Sequence, residues 1–155
     1  MSGKRWIEID RDTSSAVTHF SRAVHIADDP AFRADDLAGY TVQTAFMHAM
    51  QSGHTSLESA LTRILRLPGE EPPSGESWHA DPIQRVALTL TDRPAILPPD
   101  LGEAADETRQ FRNHAVRAYD NFRPDRASSA IQDAESLAAG LIAAVTTFRQ
   151  AIDAE

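Results

Sequence analysis

A regular apolar repeat near the end of the chain limits the fold more than any other pattern. Apolar residues recur there in steps of three and four, which match the 3.6-residue turn of an α-helix. The repeat consists of Ile131, Ala134, Ala138, Leu141, Val145, Phe148 and Ile152. A helix with one narrow apolar stripe must pack that stripe against other elements. The pattern therefore predicts a helix packed within a larger helical assembly.

Two more helical regions are predicted in the first half of the chain. One extends from about Thr13 to Ala27 and ends where Asp29-Pro30 disfavours helical backbone. The next extends over residues 35–50 and is broken near Gly53. Its expected buried residues are Leu37, Val42, Ala45, Phe46 and Met50. Residues 55–58, Thr-Ser-Leu-Glu, have the form of a capping box that starts another helix. The two segments also suit one long, interrupted helix.

The remaining segments complete an all-helical pattern. Residues 67–79 read as a loop of Pro, Gly, Ser and Glu, and helices are expected over about 81–90 and 101–119. Alternating β-branched runs are few, and no hairpin signal such as Asn-Gly occurs. We predict a single all-α domain over residues 1–155, a bundle of four or five helices with two Pro-rich loops.

The composition excludes several classes of protein. With 15 basic and 23 acidic residues, the net charge of −8 creates a field that disfavours broad, sequence-independent nucleic-acid binding. The absence of cysteine excludes disulfide scaffolds and thiolate metal sites. No apolar run approaches the roughly 20 residues that cross a bilayer, and no signal-peptide stretch is present. We expect a soluble cytoplasmic protein with no membrane partner.

Residues 109–126 contrast with this acidic background. The stretch RQFRNHAVRAYDNFRPDR contains five arginines and two acidic residues, a net charge of +3. Arg112 and Tyr119 are close to two helical turns apart and share a face. Arg112 and Arg117 are separated by roughly 140°, so they can converge only where the helix frays or a second subunit completes the site. Taken alone, the stretch also suits a basic face exposed to solvent.

The sequence offers no metal or cofactor motif. None of the six histidines pairs with another at a spacing of four residues, and no His-Glu-x-x-His occurs. Glycine-rich phosphate loops are absent too. Asp28-Asp29 and Asp35-Asp36 fall at predicted helix ends, where carboxylates stabilise N-termini or face water. We therefore expect neither a metal site nor a cofactor.

Within the basic stretch, residues 111–119, FRNHAVRAY, resemble the signature of HEPN-domain proteins of the HepT toxin type. That signature is Arg, usually a polar residue such as Asn, three variable residues, then His, one residue and Tyr. The surroundings are similar as well, namely SGESWH, RPAILPPDLGEAADETRQF and YDNFRPDRA. The resemblance is best from Ser74 to Glu155. It is weaker over the first two helices, where only the pattern matches.

The resemblance implies an up-and-down bundle that forms homodimers, with the signatures of two subunits meeting in a cleft. Active members of the family are metal-independent ribonucleases that act on RNA, often tRNA. They are toxins paired with a nucleotidyltransferase antitoxin of the MntA type, which in some systems adds AMP groups to the motif tyrosine, here Tyr119. The expected partners are a second copy, this nucleotidyltransferase, and RNA, with tRNA as the expected target.

The resemblance also assigns site residues. The predicted catalytic residues are Arg112, Asn113, Arg117 and Tyr119. The predicted RNA-contacting residues are Arg109, His114 and Arg123. Arg117 stands where the family has its catalytic histidine, and arginine cannot act as a general base because it stays protonated at physiological pH.

Three explanations of Arg117 stay open. The chain is an inactive member that still binds RNA or its partner, or it is a toxin inactivated by a change from His to Arg, or His114 replaces the histidine in a shifted helix. A non-enzymatic HEPN module that binds a nucleotidyltransferase or RNA is the alternative to a ribonuclease. A purely structural bundle with solvent-facing arginines is the third interpretation.

Overall fold

The computed structural model describes residues 2–67, 95–118 and 122–153. Within these ranges the chain forms four α-helices and no strand, and these helices are α1 (Ser2–Ala27), α2 (Leu37–Arg66), α3 (Pro99–Ala118) and α4 (Ser128–Asp153). Short 3-10 helices, Pro30–Arg33 and Pro124–Arg126, precede α2 and α4. The all-α bundle is confirmed. The helix predicted over residues 81–90 lies outside the described residues.

Helix α1 is longer than the sequence predicted. It begins at Ser2 rather than near Thr13, because Trp6 and Ile9 continue the buried stripe into the charged N-terminal turns. The buried residues of α1 follow each other at steps of three and four: Trp6, Ile9, Thr13, Ala16, Phe20 and Ala23. The predicted end is confirmed, since α1 stops at Ala27. The Asp29 carboxylate then accepts a hydrogen bond from the Ala31 N–H at 2.8 Å.

Helix α2 is one continuous helix, so the predicted break at Gly53 is wrong. A Cβ at Gly53 would lie 2.8 Å from Cε1 of Phe20, which means that glycine is needed for close packing of α1 on α2. The helix starts at the cap formed by Asp36, whose carboxylate accepts from the Gly39 N–H at 2.9 Å. The Thr55–Glu58 segment is therefore helix interior and not a capping box. Leu37, predicted to be buried, is 78% exposed in the first turn.

The burial predicted for the rest of α2 and for α4 is largely correct. Phe46 and Met50 are buried on α2, whereas Ala45 faces solvent. On α4 the predicted stripe is buried or partly buried throughout. The buried face is wider than predicted, because it also includes Ala130, Leu137 and Ala144.

Helices α1 and α2 pack as antiparallel neighbours. Between α1 and α2, the Ser15 and Ser56 hydroxyls are 2.9 Å apart, and Arg63 donates to Glu8 at 2.7 Å and to Asp12 at 2.9 Å. Residue numbers fall along α2 as they rise along α1, which defines the antiparallel arrangement. Helix α4 packs against α1 and also against α3. The described parts of the chain contain no helix long and apolar enough to span a membrane.

Four phenylalanines fix the C-terminal half of α3 and the segment after it to α2. Their ring centroids are 5.1 to 6.4 Å apart, and most pairs meet edge to face. The four rings belong to Phe32, Phe46, Phe111 and Phe122. Phe111 is partly buried and packs against the core. Because Arg112 follows Phe111 directly, this aromatic cluster also sets the position of the arginine.

Candidate functional site

The predicted site residues lie on α3 and just after it, as far as the structure describes them. Arg109, Arg112, Asn113 and His114 are on α3, and Arg117 lies in its last turn. Arg123 is exposed directly before the second 3-10 helix. Tyr119 lies outside the described residues.

Arg112 turns towards α2 rather than into solvent. Its Nη2 lies 3.4 Å from Oε2 of Glu58, and the two side chains are 22% and 20% exposed. A pair of this kind is held in place by the surrounding helices yet still open to a ligand. Arg112 is therefore a guanidinium with a fixed direction, which suits recognition of an anion such as phosphate.

Behind this pair lies a completely buried histidine. His54 is 0% exposed, and its Nδ1 is 2.8 Å from Oγ1 of Thr108 on α3. Thr108 Oγ1 donates its only hydrogen to the carbonyl oxygen of Ala105 at 2.9 Å. Nδ1 of His54 must therefore carry a proton and donate it to Thr108.

The second ring nitrogen of His54 faces the carboxylate of Glu58. Nε2 lies 3.6 Å from Oε2 of Glu58, and it has no hydrogen-bond partner among the described residues. Burial lowers the pKa of His54 and outweighs the opposing influence of Glu58, while Arg112 and Arg109 lower this pKa further. His54 is therefore neutral at pH 7. We call these four residues, His54, Glu58, Thr108 and Arg112, the α2–α3 joint.

The other predicted site residues on α3 do not belong to the α2–α3 joint. Nε of Arg109 donates to Oδ1 of Asp106 at 3.0 Å, so a neighbouring carboxylate balances its charge. Asn113 and His114 are exposed. His114 follows Arg112 by two residues, about 200° around the helix, and so the joint does not include it.

Sequence analysis found one of the four residues of the joint and missed three. His54, Glu58 and Thr108 were not predicted, because they contact Arg112 or each other across 54 positions of sequence. One signal was available. His54 occupies the apolar stripe of α2 between Met50 and Leu57, and a polar residue there needs a partner inside the fold.

A second group of acidic side chains lies where α3 meets α4. Burial, a hydrogen bond with Glu107 and repulsion from Glu107 and Glu103 raise the pKa of Asp133 to about 8. Asp133 thus holds a proton at neutral pH, which allows its carboxyl group to meet that of Glu107 between the helices. No group of histidine, aspartate and glutamate side chains that could hold a metal ion occurs in the described ranges.

The helical bundle, together with an arginine held at the joint and the Arg-Asn-x-x-x-Arg-x-Tyr segment that begins with it, defines a domain of the HEPN type. A family model described as HepT-like protein matches residues 45–152, more than two thirds of the chain. The chain belongs to this HepT-like family of HEPN proteins. Membership implies the context of a toxin–antitoxin system with a partner. No curated protein and no solved structure matches the chain.

Proposed function

We propose that this protein is the toxin of a toxin–antitoxin pair and a metal-independent endoribonuclease by lineage, with tRNA as its target. The observation that carries the proposal is the placement of Arg112, the motif arginine, as a partly exposed guanidinium fixed between two helices. All four residues of the joint lie inside the range that the HepT-like family model matches.

The chemistry of RNA cleavage explains why such an arginine matters. Cleavage without a metal uses the 2′-hydroxyl of the RNA as nucleophile, and negative charge develops on the phosphate. A guanidinium that is already oriented stabilises this charge without reorganising during the reaction. Asn113 lies beside Arg112 and is exposed, so it is available to a phosphate or a base.

The proposed function also includes three partners, which are a second copy of the chain, a nucleotidyltransferase antitoxin and RNA. A second copy of the chain would bring a second set of motif arginines into one cleft, which raises the local positive potential of an acidic protein. The antitoxin is a nucleotidyltransferase, with Tyr119 as the residue it would modify with AMP. Arg109, His114 and Arg123 would contact the RNA strand around the scissile phosphate. The site of action is the cytoplasm.

A second candidate function is a non-enzymatic HEPN module that binds its nucleotidyltransferase partner or RNA. The arginine at position 117 favours it, because the family has its catalytic histidine there and arginine cannot accept a proton. The two candidates differ in one measurable respect, which is whether any form of the chain cuts RNA.

The test is cleavage of purified tRNA by the chain as given and by Arg117→His, each with and without Arg112→Gln. We expect cleavage by at least the Arg117→His protein, with products that end in a 2′,3′-cyclic phosphate. Arg112→Gln should reduce the rate by about 10²-fold or more, because one charge-stabilising donor is worth that much. Arg22→Gln, at an exposed position of α1, is the matched control and should leave the rate unchanged.

If none of these proteins cuts RNA, the ribonuclease proposal fails. Co-purification with a nucleotidyltransferase would then favour the binding module.

A further inference from the structure

A pocket of about 490 Å³ lies along the first half of α2, outside the α2–α3 joint, and we call it the α2 pocket. Its volume falls within the roughly 300–1,000 Å³ that small-ligand sites occupy. No permanently charged side chain is among the residues described around it. These residues include Tyr40, Thr44, Met47, His48 and Gln51 from α2 and Phe122 from the segment before α4.

The lining of the α2 pocket combines an exposed aromatic ring with uncharged polar groups. Tyr40 is 68% exposed, so its ring is open to a planar ligand. Thr44, His48 and Gln51 add hydroxyl, imidazole and amide groups that donate and accept hydrogen bonds. A phosphate favours cationic partners, and a hydrocarbon chain would leave these polar groups unpaired. The lining therefore suits a flat ligand with an apolar face and a polar edge, which describes a nucleobase.

The α2 pocket lies on the side of α2 that Arg112 contacts. Around an ideal helix, Tyr40, Met47 and Gln51 point within about 20° of the direction of position 58. Nη2 of Arg112 lies 3.4 Å from Oε2 of Glu58, which marks the place where the motif arginine meets α2. From Gln51 to that place is about 10 Å along the helix. A single strand with one phosphate at Arg112 can therefore place the base of a nearby nucleotide in the pocket.

Phe122 joins the α2 pocket to the basic stretch of residues 109–126. Its ring centroid is 6.4 Å from that of Phe111, the residue before Arg112. Arg123, the residue after Phe122, is exposed. One wall of the pocket thus belongs to the stretch that carries the local charge of +3. This continuity favours a polyanion with planar bases as the occupant over an uncharged peptide or a lipid.

We propose that the α2 pocket is a base-stacking subsite for single-stranded RNA, in which one unpaired base stacks on Tyr40 while Arg112 holds a phosphate of the same strand. This inference rests on the proposed ribonuclease function, because it states where the RNA substrate of that function is bound. The unpaired loops of tRNA expose bases that proteins bind in this way. Stacking also supplies affinity that does not depend on attraction between charges, which suits a chain with a net charge of −8.

The experiment measures the affinity of the full chain for two labelled probes by fluorescence anisotropy. One probe is a 2′-O-methyl oligouridylate of about twelve nucleotides, a length within the range of single-strand binding sites. It cannot be cut, because methylation removes the 2′-hydroxyl. The other probe is the same sugar-phosphate chain without bases. The parent should bind the oligouridylate more tightly than the base-free chain.

Tyr40→Ala should weaken binding of the oligouridylate by about 5- to 100-fold, the usual contribution of one stacked base. Its affinity for the base-free chain should stay within about twofold of the parent value, because no phosphate contact is lost. Tyr40→Phe keeps the ring and should bind both probes within about threefold of the parent, since stacking does not need the hydroxyl. The difference between Tyr40→Ala and Tyr40→Phe therefore measures the contribution of the ring.

Two controls separate stacking from a change in folding or charge. Ile7→Ala removes another exposed apolar side chain, 61% exposed on α1, and should leave both affinities unchanged. Tyr40→Ala should keep the melting temperature of the parent, because exposed side chains contribute little to stability. It should also keep the dependence of affinity on salt, whereas Arg112→Gln should reduce that dependence.

Several results would overturn the inference. One is a Tyr40→Ala protein that binds the oligouridylate as tightly as the parent, and if this protein instead loses self-association in gel filtration, the face of Tyr40 is a protein interface. Another is an equal loss of affinity for both probes, because Tyr40 would then act on the backbone or on the fold. A parent that binds no oligouridylate also overturns it. In each case cleavage of tRNA by Arg117→His would keep the proposed function, and if no form of the chain cuts tRNA, the proposed function fails as well.

Discussion

At the scale of single residues, His54 is the most unusual group in the described part of the chain. A buried, neutral histidine that is fixed through Thr108 makes the stability of the protein depend on pH. The pKa of His54 is lowered from 6.5 in the folded chain, mainly by burial. The unfolded chain therefore binds a proton below about pH 6.5 that the folded chain does not bind. Stability is fully present above this range and is lost as the pH falls.

We predict that His54→Gln flattens this dependence. Its free energy of unfolding at neutral pH should fall by about 1–3 kcal/mol, because the Thr108 hydrogen bond and part of the packing are lost. Between about pH 7.5 and 5, however, it should lose less stability than the parent. Urea denaturation at several pH values measures both effects. His25→Gln, at an exposed position of α1, is the control. Equal slopes for His54→Gln and its parent would contradict the assignment.

The sequence identified Arg112 because a local motif marks it, whereas the partners of Arg112 carry no local mark. Glu58 and His54 lie 54 positions earlier than the residues they contact. Only the packing of α3 on α2 brings them together, and this packing depends on residues far outside the motif, such as Phe46 and Phe122. The sequence around Glu58 alone does not indicate that its side chain contacts Arg112 on another helix.

At the scale of elements, periodicity predicted the helices best where charged residues do not interrupt the apolar stripe. The stripe of α4 was predicted almost completely, because residues 136–148 include no charged residue. The first three turns of α1 were missed, because basic and acidic residues surround Trp6 and Ile9. Arg149, which lies over the Trp6 ring at 4.9 Å, is one of the contacts that anchors these turns. Gly53 was misread because its role is close packing against another helix.

The contact between α3 and α4 gives a prediction of the opposite sign to that for His54. The folded-state pKa of Asp133 is raised from 3.8 to about 8, chiefly by burial and by Glu107. The folded chain thus holds a proton that the unfolded chain releases above pH 3.8, so the stability contributed here is lost as the pH rises towards about 8. Asp133→Asn removes one negative charge from the contact. It should be more stable than the parent at alkaline pH.

Melting temperatures test this prediction. Above about pH 8, Asp133→Asn should melt about 2–4 °C higher than the parent, which corresponds to roughly 1 kcal/mol in a domain of this size. The difference should narrow at lower pH, where the parent holds the proton. Glu135→Gln, an exposed position on the same helix, controls for the change in net charge. A melting temperature of Asp133→Asn that is lower than that of the parent at every pH would show that the proton held by Asp133 does not control the stability of this contact.

At the scale of the whole molecule, the net charge of −8 disfavours RNA binding, whereas the local charge of +3 on residues 109–126 favours it. The overall field repels RNA at a distance, and attraction is confined to the few phosphates that reach the arginines. Binding therefore depends on counterions released at a small number of contacts. Two or three phosphates per protomer on single-stranded RNA predict a slope of about −1.4 to −2.1 for the logarithm of affinity against the logarithm of salt concentration.

This slope separates a localised site from general attraction to a polyanion. Arg112→Gln should lower its magnitude by about 0.7, because one phosphate contact is lost. Arg22→Gln, which removes the same charge from α1, should leave it unchanged. Fluorescence anisotropy of a labelled RNA, measured at a series of salt concentrations, gives the three slopes. A parent slope steeper than about −5 would require a basic surface that this acidic chain lacks in its described parts, and equal slopes for the two variants would place the phosphate contacts away from Arg112.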